Sequence, residues 1–335
     1  MKKRMAMIAA VSATMLAASV GASFADTTTV RLAKEFGVGY LPLSVMQHQK
    51  LLVKNAKKEG LDIETKWLRF TGGAAMNDAL LSGSLDIAAG GVGPMLTLWS
   101  RTQTNYGFKS LGTLDCMPLD LVSVNPKVKK LADFTSKDRI ALPAVKTSIQ
   151  AVTLQMAAKK AFGAGNAQKL DKLTVSMGHP DALLAMLGGK SGITAHFGSP
   201  PFQNIELRDK RAHVVVNSYD VLGGPHTFNL TWASKKFVEA NPKIAKAFVE
   251  ALNESLAFIK ANPEKAADIW MSEEKTPLSK KEIVAIITGK DVIWTAEPKN
   301  MLPYLHFMHE TGLVKNTTDN TNDLFFPVAQ GSKQD

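Results

Sequence analysis

The chain has 335 residues, a formal net charge of +10 and a single cysteine. That length suits two domains, and one cysteine excludes an internal disulfide framework, leaving Cys116 as a small buried hydrophobe. The basic excess is spread along predicted helices without the aromatic-interleaved basic runs of a nucleic-acid binder, so nucleic acid is excluded as a partner and the charge serves solubility.

Residues 1–25 read as an export signal. Lys2, Lys3 and Arg4 form a basic start, residues 5–20 are apolar and rich in Ala, and Ser23 and Ala25 are small residues ahead of a cleavage point before Asp26. The apolar run is too short and too Ala-rich for a membrane anchor. No cysteine near Asp26 can accept a lipid, which predicts a free, exported mature protein. Losing three cations lowers the formal charge from +10 to +7.

From Thr29 a strand (Val30, Leu32, Ala33) runs into a loop with Gly37, Gly39 and Tyr40. A helix then follows, with Ser44 as its predicted N-cap and Gly60 as its stop. Residues 62–70 alternate as a strand carrying Arg69. The stretch 70–94 follows: Thr71, Gly72 and Gly73 open a helix over 74–81, Gly83 ends it, and a short strand over 85–89 leads to Gly90-Gly91-Val92-Gly93-Pro94. This loop lacks the spacings of nucleotide-binding glycine loops. Its bare backbone marks the wall of a ligand site, since ligands in α/β sheets bind at the carboxyl ends of strands. A helix over 95–104 and a strand over 111–114 complete this unit.

The same pattern returns 106 residues later. Residues 72–94 and 178–200 align without gaps and share Gly72/Gly178, Ala79/Ala185, Leu81/Leu187, Gly83/Gly189, Ile87/Ile193, Ala89/Ala195 and Pro94/Pro200, seven identities in 23 positions. They fall at structural joints, which predicts two α/β units of one design. Between the copies, the chain is β-rich over 119–124. A strand over 139–142 then leads through Thr147 and Ser148 to a helix over 149–162, with Gln150 in its first turn. Free N–H groups there suit a carboxylate, sulfonate or nitrate-like head, although ordinary capping also explains Thr-Ser at that position. After the second copy come a strand over 213–217 and an extended return over 227–232. Long helices follow, each Asn-Pro pair (Asn241-Pro242, Asn262-Pro263) reading as a cap with a proline at the first helical position. Another helix starts near Ser279 and a last one spans 301–311.

The export signal, the block GGAAMNDALLSGSLDIA with its glycine loop, the repeat, and the helices ANPKIAKAFVEALNESLAFIKANPEKA together resemble one family. It is the periplasmic substrate-binding proteins of ABC importers, in the nitrate/sulfonate/taurine and thiamine-pyrimidine-precursor (NMT1/THI5-like) group. The resemblance implies an α/β type II periplasmic-binding-protein fold with two lobes joined by a two-crossing hinge. The expected boundaries are 1–25 for the signal peptide, 26–115 plus 231–335 for lobe 1 and 116–230 for lobe 2. It further implies a monomer that captures a small anionic or polar organic molecule and hands it to an ABC permease and its ATPase at the inner membrane, with no catalysis and no cofactor.

By position, the first lobe offers Gly37, Gly39, Tyr40, Phe70, Thr71, Gly72, Gly91, Val92 and Gly93 to the ligand. The second offers Thr147, Ser148, Gln150, Gly178, His179, His196, Phe197 and Ser199. Tyr40, Phe70 and Phe197 are the expected apolar walls, and Arg69 the candidate anion partner unless it faces solvent. His179, His196 and His226 lie on cleft loops without carboxylates at ligand spacing, so they read as hydrogen-bonding groups and not as metal ligands. Two alternatives stay open: an exported sensor or chemoreceptor partner, and a pyrimidine-precursor synthase of the same fold. The synthase carries a Cys-rich segment that is missing here.

Overall fold

The computed structural model describes residues 28–330; the predicted export segment, with its expected cleavage point before Asp26, and the tail from Gly331 lie outside the described residues. Four strands alternate with helices at the start: β1 (Thr28–Lys34), β2 (Ile63–Arg69), β3 (Ile87–Gly91) and β4 (Lys109–Thr113). β1 pairs in parallel with both β2 and β3. Val30 and Leu32 of β1 and Ala88 and Ala89 of β3 are fully buried, as a parallel sheet covered by helices on both faces requires.

The chain then crosses through β5 (Asp115–Cys116) into β6 (Asp120–Ser123), β7 (Ile140–Leu142), β8 (Thr174–Ser176), β9 (Ala195–Phe197) and β10 (His213–Asn217), and returns as β11 (Asn229–Ala233). Two five-stranded sheets result, ordered β2-β1-β3-β11-β4 and β8-β7-β9-β6-β10. The orders are equivalent strand for strand. β11 lies antiparallel between β3 and β4, and β6 antiparallel between β9 and β10, so each lobe takes its antiparallel strand immediately after a crossing. The crossings run side by side: the Phe228 N–H donates to the Asp115 carbonyl at 3.0 Å, and the buried Cys116 bridges to Thr227. A last short strand, β12 (Ile293–Trp294), pairs with β5 at the same place.

The repeat is visible in the backbone. The helices Gly73–Leu81 and His179–Gly188 begin at matching positions, and their chains turn at Gly83 (φ 73°) and Gly189 (φ 68°), left-handed values that glycine adopts without a Cβ clash. Beyond that point the copies diverge. Gly90 and Gly91 belong to β3 instead of a loop, paired with Leu230 and Asn229, and the next helix starts at Val92, three residues earlier than expected.

Three local expectations are corrected. The helix after Tyr40 begins at Leu41, so Ser44 lies inside it, its hydroxyl bound to Lys34 Nζ at 2.8 Å and to Glu273 Oε2 at 2.8 Å. That helix is also two, Leu41–His48 and Leu51–Lys58, broken where Lys50 takes φ 54°. The Asn side chains at 241 and 262 cap backwards: each Nδ2 donates to a carbonyl of the preceding helix, Phe237 and Phe258, while the prolines take the first helical positions as expected.

The helix Pro242–Ala261 buries Ile244, Phe248, Ala251, Leu252 and Ile259 on one stripe. Each fully buried large side chain contributes about 1.5–3 kcal/mol. The helix Leu302–Glu310 instead reaches the second lobe, through Tyr304 Oη to Thr153 Oγ1 (3.0 Å) and Glu310 to Lys159.

Candidate functional site: the seam between the lobes

The carboxyl ends of β1, β2 and β3 meet those of β7, β8 and β9 across a shut seam. Val38 N–H donates to the Pro200 carbonyl at 3.0 Å, joining the loop after β1 to the loop after β9. Elsewhere glycines let the two walls approach closely. A Cβ on Gly91 would lie 2.7 Å from Ile149 Cγ2, one on Gly37 2.9 Å from the Pro200 carbonyl, and one on Gly72 3.3 Å from the Pro143 carbonyl. Gly93 faces the Thr147 carbonyl more closely still, and Gly178 faces Thr71. A cavity of about 10 Å³ remains inside the seam, room for roughly one water.

That cavity brings together Tyr40, Gly91, Ser148, Gln150 and His179 from the expected set. Gly37, Thr71, Gly72, Gly93, Thr147, Gly178 and Ser199 form the surrounding seam contacts. Others are placed differently. Gly39 packs against Phe228 and Asn229. Val92 is buried, and its N–H donates to the Phe228 carbonyl at 3.2 Å, so this loop spends a donor within its own lobe. Phe197 is wholly buried in the hydrophobic core, and Phe70 packs partly buried against that core. Arg69 is engaged with Glu274 Oε1 at 2.5 Å and Glu273 Oε2 at 3.2 Å, its guanidinium over the Phe36 ring.

Each side of the seam is braced by a polar cluster. In the first lobe, Lys34 Nζ, buried to 3% exposure, binds Glu273 at 2.6 Å, and Glu274 accepts from the Gly37 N–H at 3.0 Å, tying the β1 loop to the end of the helix Pro263–Glu273. Burial pulls the Lys34 pKa down, partly offset by Glu273, and pushes that of Glu274 up, partly offset by Arg69. In the second lobe the brace is a file of hydrogen-bonded side chains. Gln150 Nε2 lies 3.3 Å from His179 Nε2, His179 Nδ1 lies 2.8 Å from His196 Nε2, and His196 Nδ1 lies 2.5 Å from Glu206 Oε1. His179 also stacks on Phe202. Burial holds His179 well below the usual histidine range. His226 stands apart at the crossing, bound to Ser218 and Thr227, and burial lowers it to about 4.

Sequence reasoning missed Glu35 and Phe228, both on the cavity wall. Glu35 follows the last residue of β1, at the carboxyl end where ligand loops gather, and that position was the available signal. Its carboxyl sits against Gly73 and Gly90, and burial raises its pKa to about 8. Burial likewise keeps Tyr40 well above the usual phenol range. Behind them, both oxygens of the buried Asp115 and both ends of the Asn229 amide lack a hydrogen-bond partner. Among the described residues no three His, Cys, Asp or Glu converge as a metal site, and no helix is long and apolar enough to cross a membrane.

A larger groove, about 740 Å³ between Trp99, Phe108, Lys235 and Phe326, is walled by elements packed on the first sheet alone. Relative motion of the lobes cannot close it, so the seam is the better candidate despite its small volume.

No curated protein matches the sequence. Among solved structures, the fold is similar to the periplasmic aliphatic sulphonate binding protein SsuA from Escherichia coli, with a TM-score of 0.65 at 15% identity over 90% of this chain and 99% of that one. It is also similar to the alkanesulfonate-binding protein SsuA from Xanthomonas axonopodis pv. citri bound to MOPS (TM-score 0.69, 14% identity, 87% and 95% coverage). The periplasmic nitrate-binding protein NrtA from Synechocystis PCC 6803 matches with a TM-score of 0.66 at 14% identity over 88% of this chain and 84% of that one. The two-lobed architecture is therefore the type II periplasmic-binding-protein fold. The NMT1-like family model matches residues 24–271, most of the chain, and the protein belongs to the NMT1-like family.

Proposed function

We propose that the protein is an exported solute-binding protein, active as a monomer in the periplasm, that captures a small polar organic molecule in the seam and delivers it to an ABC importer. The observation that carries this reading is the seam itself, walled from both lobes at the carboxyl ends of six strands. A ligand there is enclosed when the lobes close and released when they part. The proposed lobes are residues 26–115 with 231–335 and residues 116–230, with residues 1–25 as the export signal. Tyr40, Ser148, Gln150 and His179 are the proposed ligand-contacting side chains, with Glu35 and Phe228 added from the cavity wall. The family and the named neighbours, which bind sulfonates or nitrate, support binding and transport over catalysis.

Thermal shift over a broad panel of small organic and inorganic solutes tests it. A ligand at about 100 times its Kd adds about 2.7 kcal/mol, and a domain of this size shifts by roughly 2–4 °C per kcal/mol. Deletion should abolish uptake of the ligand so found. Unchanged uptake would sink the importer reading and leave a sensor.

A further inference from the structure

The polar groups left free on the two walls of the seam bear on what the ligand is. In the second lobe, one set of tautomers satisfies every link of the file. The Gln150 amide N–H donates to His179 Nε2, the His179 Nδ1–H donates to His196 Nε2, and the His196 Nδ1–H donates to the Glu206 carboxylate. A carboxylate at 2.5 Å from a ring nitrogen is a charge-assisted acceptor and anchors the direction of the file. Both nitrogens of each ring are spent, so His179 can touch a ligand only through its ring carbons. Gln150 is different. Its Nε2 is held against His179, which leaves its carbonyl oxygen and its second N–H at the cavity it lines.

The first lobe presents the buried Glu35 side chain to the same cavity. No lysine or arginine lines that cavity, and the nearby Lys34 and Arg69 are committed to Glu273 and Glu274. A carboxylate buried without a cation is costly, so Glu35 keeps its proton, in line with its raised pKa. A neutral carboxyl is a donor and an acceptor side by side. Pro94, Pro143, Ile149 and Phe228 supply the apolar part of the lining. An oxyanion entering here would lose its water and find no cation, and the Gly37 and Val92 N–H groups are already bound to Glu274 and to the Phe228 carbonyl. A cation would first have to expel the Glu35 proton, a cost that an uncharged ligand avoids.

Resting on the reading of this seam as the ligand site, we infer that the ligand is an uncharged primary amide, a carboxamide or a urea, on a compact hydrocarbon body. Its C=O and the N–H on the same side pair with the Glu35 carboxyl, which gives one hydrogen bond and accepts one. Its other N–H donates to the Gln150 carbonyl oxygen. His179, His196 and Glu206 act as positioning residues: the direction of the file decides that Gln150 turns its oxygen, and not only its NH2 group, to the ligand.

The test is calorimetric titration of the mature protein with probes of one shape and three charges: benzamide, benzamidine and benzoate, and the matching butyramide, butyramidine and butyrate. The amides should bind at least tenfold more tightly than either charged partner. Glu35→Leu should weaken them at least tenfold, and Glu35→Gln, uncharged and still a donor–acceptor pair, should recover most of that loss. Histidine 15N spectra of the unliganded protein read the positioning residues: His179 and His196 should each carry their proton on Nδ1. Glu206→Gln, able to donate as well as accept, should admit the opposite tautomers and weaken the amides at least threefold. Tighter binding of either charged class, a Glu35→Gln loss as large as that of Glu35→Leu, or protons on Nε2 of both rings overturns the inference and leaves the solute-binding reading standing. So does a lack of amide binding when deletion abolishes uptake of another solute. If no solute binds and deletion leaves uptake unchanged, both fall.

Discussion

The two copies of the repeat differ most where they face each other. Position 73 is glycine in the first copy and His179 in the second; position 90 is glycine in the first and His196 in the second. In the first lobe the space left by those two glycines is taken by the Glu35 carboxyl, reaching over from the end of β1. In the second lobe the histidines bring their own side chains, and the neighbour level with His196 on β7 is the small Ala141. Large polar and small residues have thus exchanged strands between the two jaws. One backbone plan carries two chemistries, an acid on one side and a file of hydrogen-bonded histidines on the other. A sheet tolerates this exchange because the packing constraint falls on the sum of neighbouring volumes and not on either residue alone.

The comparison breaks most severely if the glycine jaw is filled. Gly91→Val should leave the first lobe folded, because φ −66° at this position is open to any residue, while its side chain collides with Ile149 and stops closure. We expect at least about a 1,000-fold loss of affinity, equivalent to about 4 kcal/mol, for any solute that shifts the wild-type midpoint. Solution scattering should show no ligand-induced compaction. Binding that survives would mean that the lobes do not meet at Gly91.

Next comes the brace behind each jaw. Lys34→Met removes the most buried member of the charged cluster and should cost about 3 kcal/mol in urea unfolding, because Glu273 keeps only Arg69 as a charged partner. A cost below about 1 kcal/mol, the range of exposed ion pairs, would show that solvent reaches the cluster.

The jaws should also respond to pH in opposite directions. With a folded pKa of about 8 against 4.5 in the unfolded chain, Glu35 contributes stability that is fully present below about pH 4.5 and is lost as pH rises toward about 8. His179, held below its ordinary 6.5, contributes stability present above about pH 6.5 and lost as pH falls toward its lowered pKa, and His226 at about 4 adds to that acid limb. Unfolding midpoints measured against pH should therefore lose part of the alkaline decline in Glu35→Gln and part of the acid decline in His179→Gln. Equal curves for wild type and both variants would remove the contrast.

The smallest effect separates the two helix starts. Ser148 caps the helix Ile149–Phe162 by accepting from the Ala151 N–H at 3.2 Å, whereas the helix Val92–Thr102 starts at Gly91 with no side-chain cap. Ser148→Ala should cost about 1 kcal/mol of stability, seen as a shifted urea midpoint at constant slope. An unchanged midpoint would show that the packing of Ile149 alone holds that helix start.

Much of the fold was legible because it rests on local periodicity. The alternation around Val30 and Leu32, the glycine stops at Gly83 and Gly189, and the capping serine at 148 all act within a few residues. The misreadings are also local in cause. Ser44 looked like a cap because serine at a helix start commonly is one, but its hydroxyl is claimed by Lys34 and by Glu273, 229 residues away. Gly90 and Gly91 looked like a loop because glycine disfavours strands, yet β11 arrives from the far side of the second lobe and pairs with both.

The candidate site divides in the same way. Positions at strand ends could be named from sequence, since a parallel α/β unit gathers its loops at one edge, and Tyr40, Ser148, Gln150 and His179 of that set line the seam cavity. Sequence alone also determined the family, the repeat and the order of strands and helices, all of which depend on hydrophobic pattern and glycine placement along a contiguous stretch. The partners of each polar group were decided by tertiary structure. Arg69 turns to Glu273 and Glu274, Phe197 goes into the core, and Glu35 reaches the seam because burial and charge pairing act between residues that the chain brings together only after both sheets have formed.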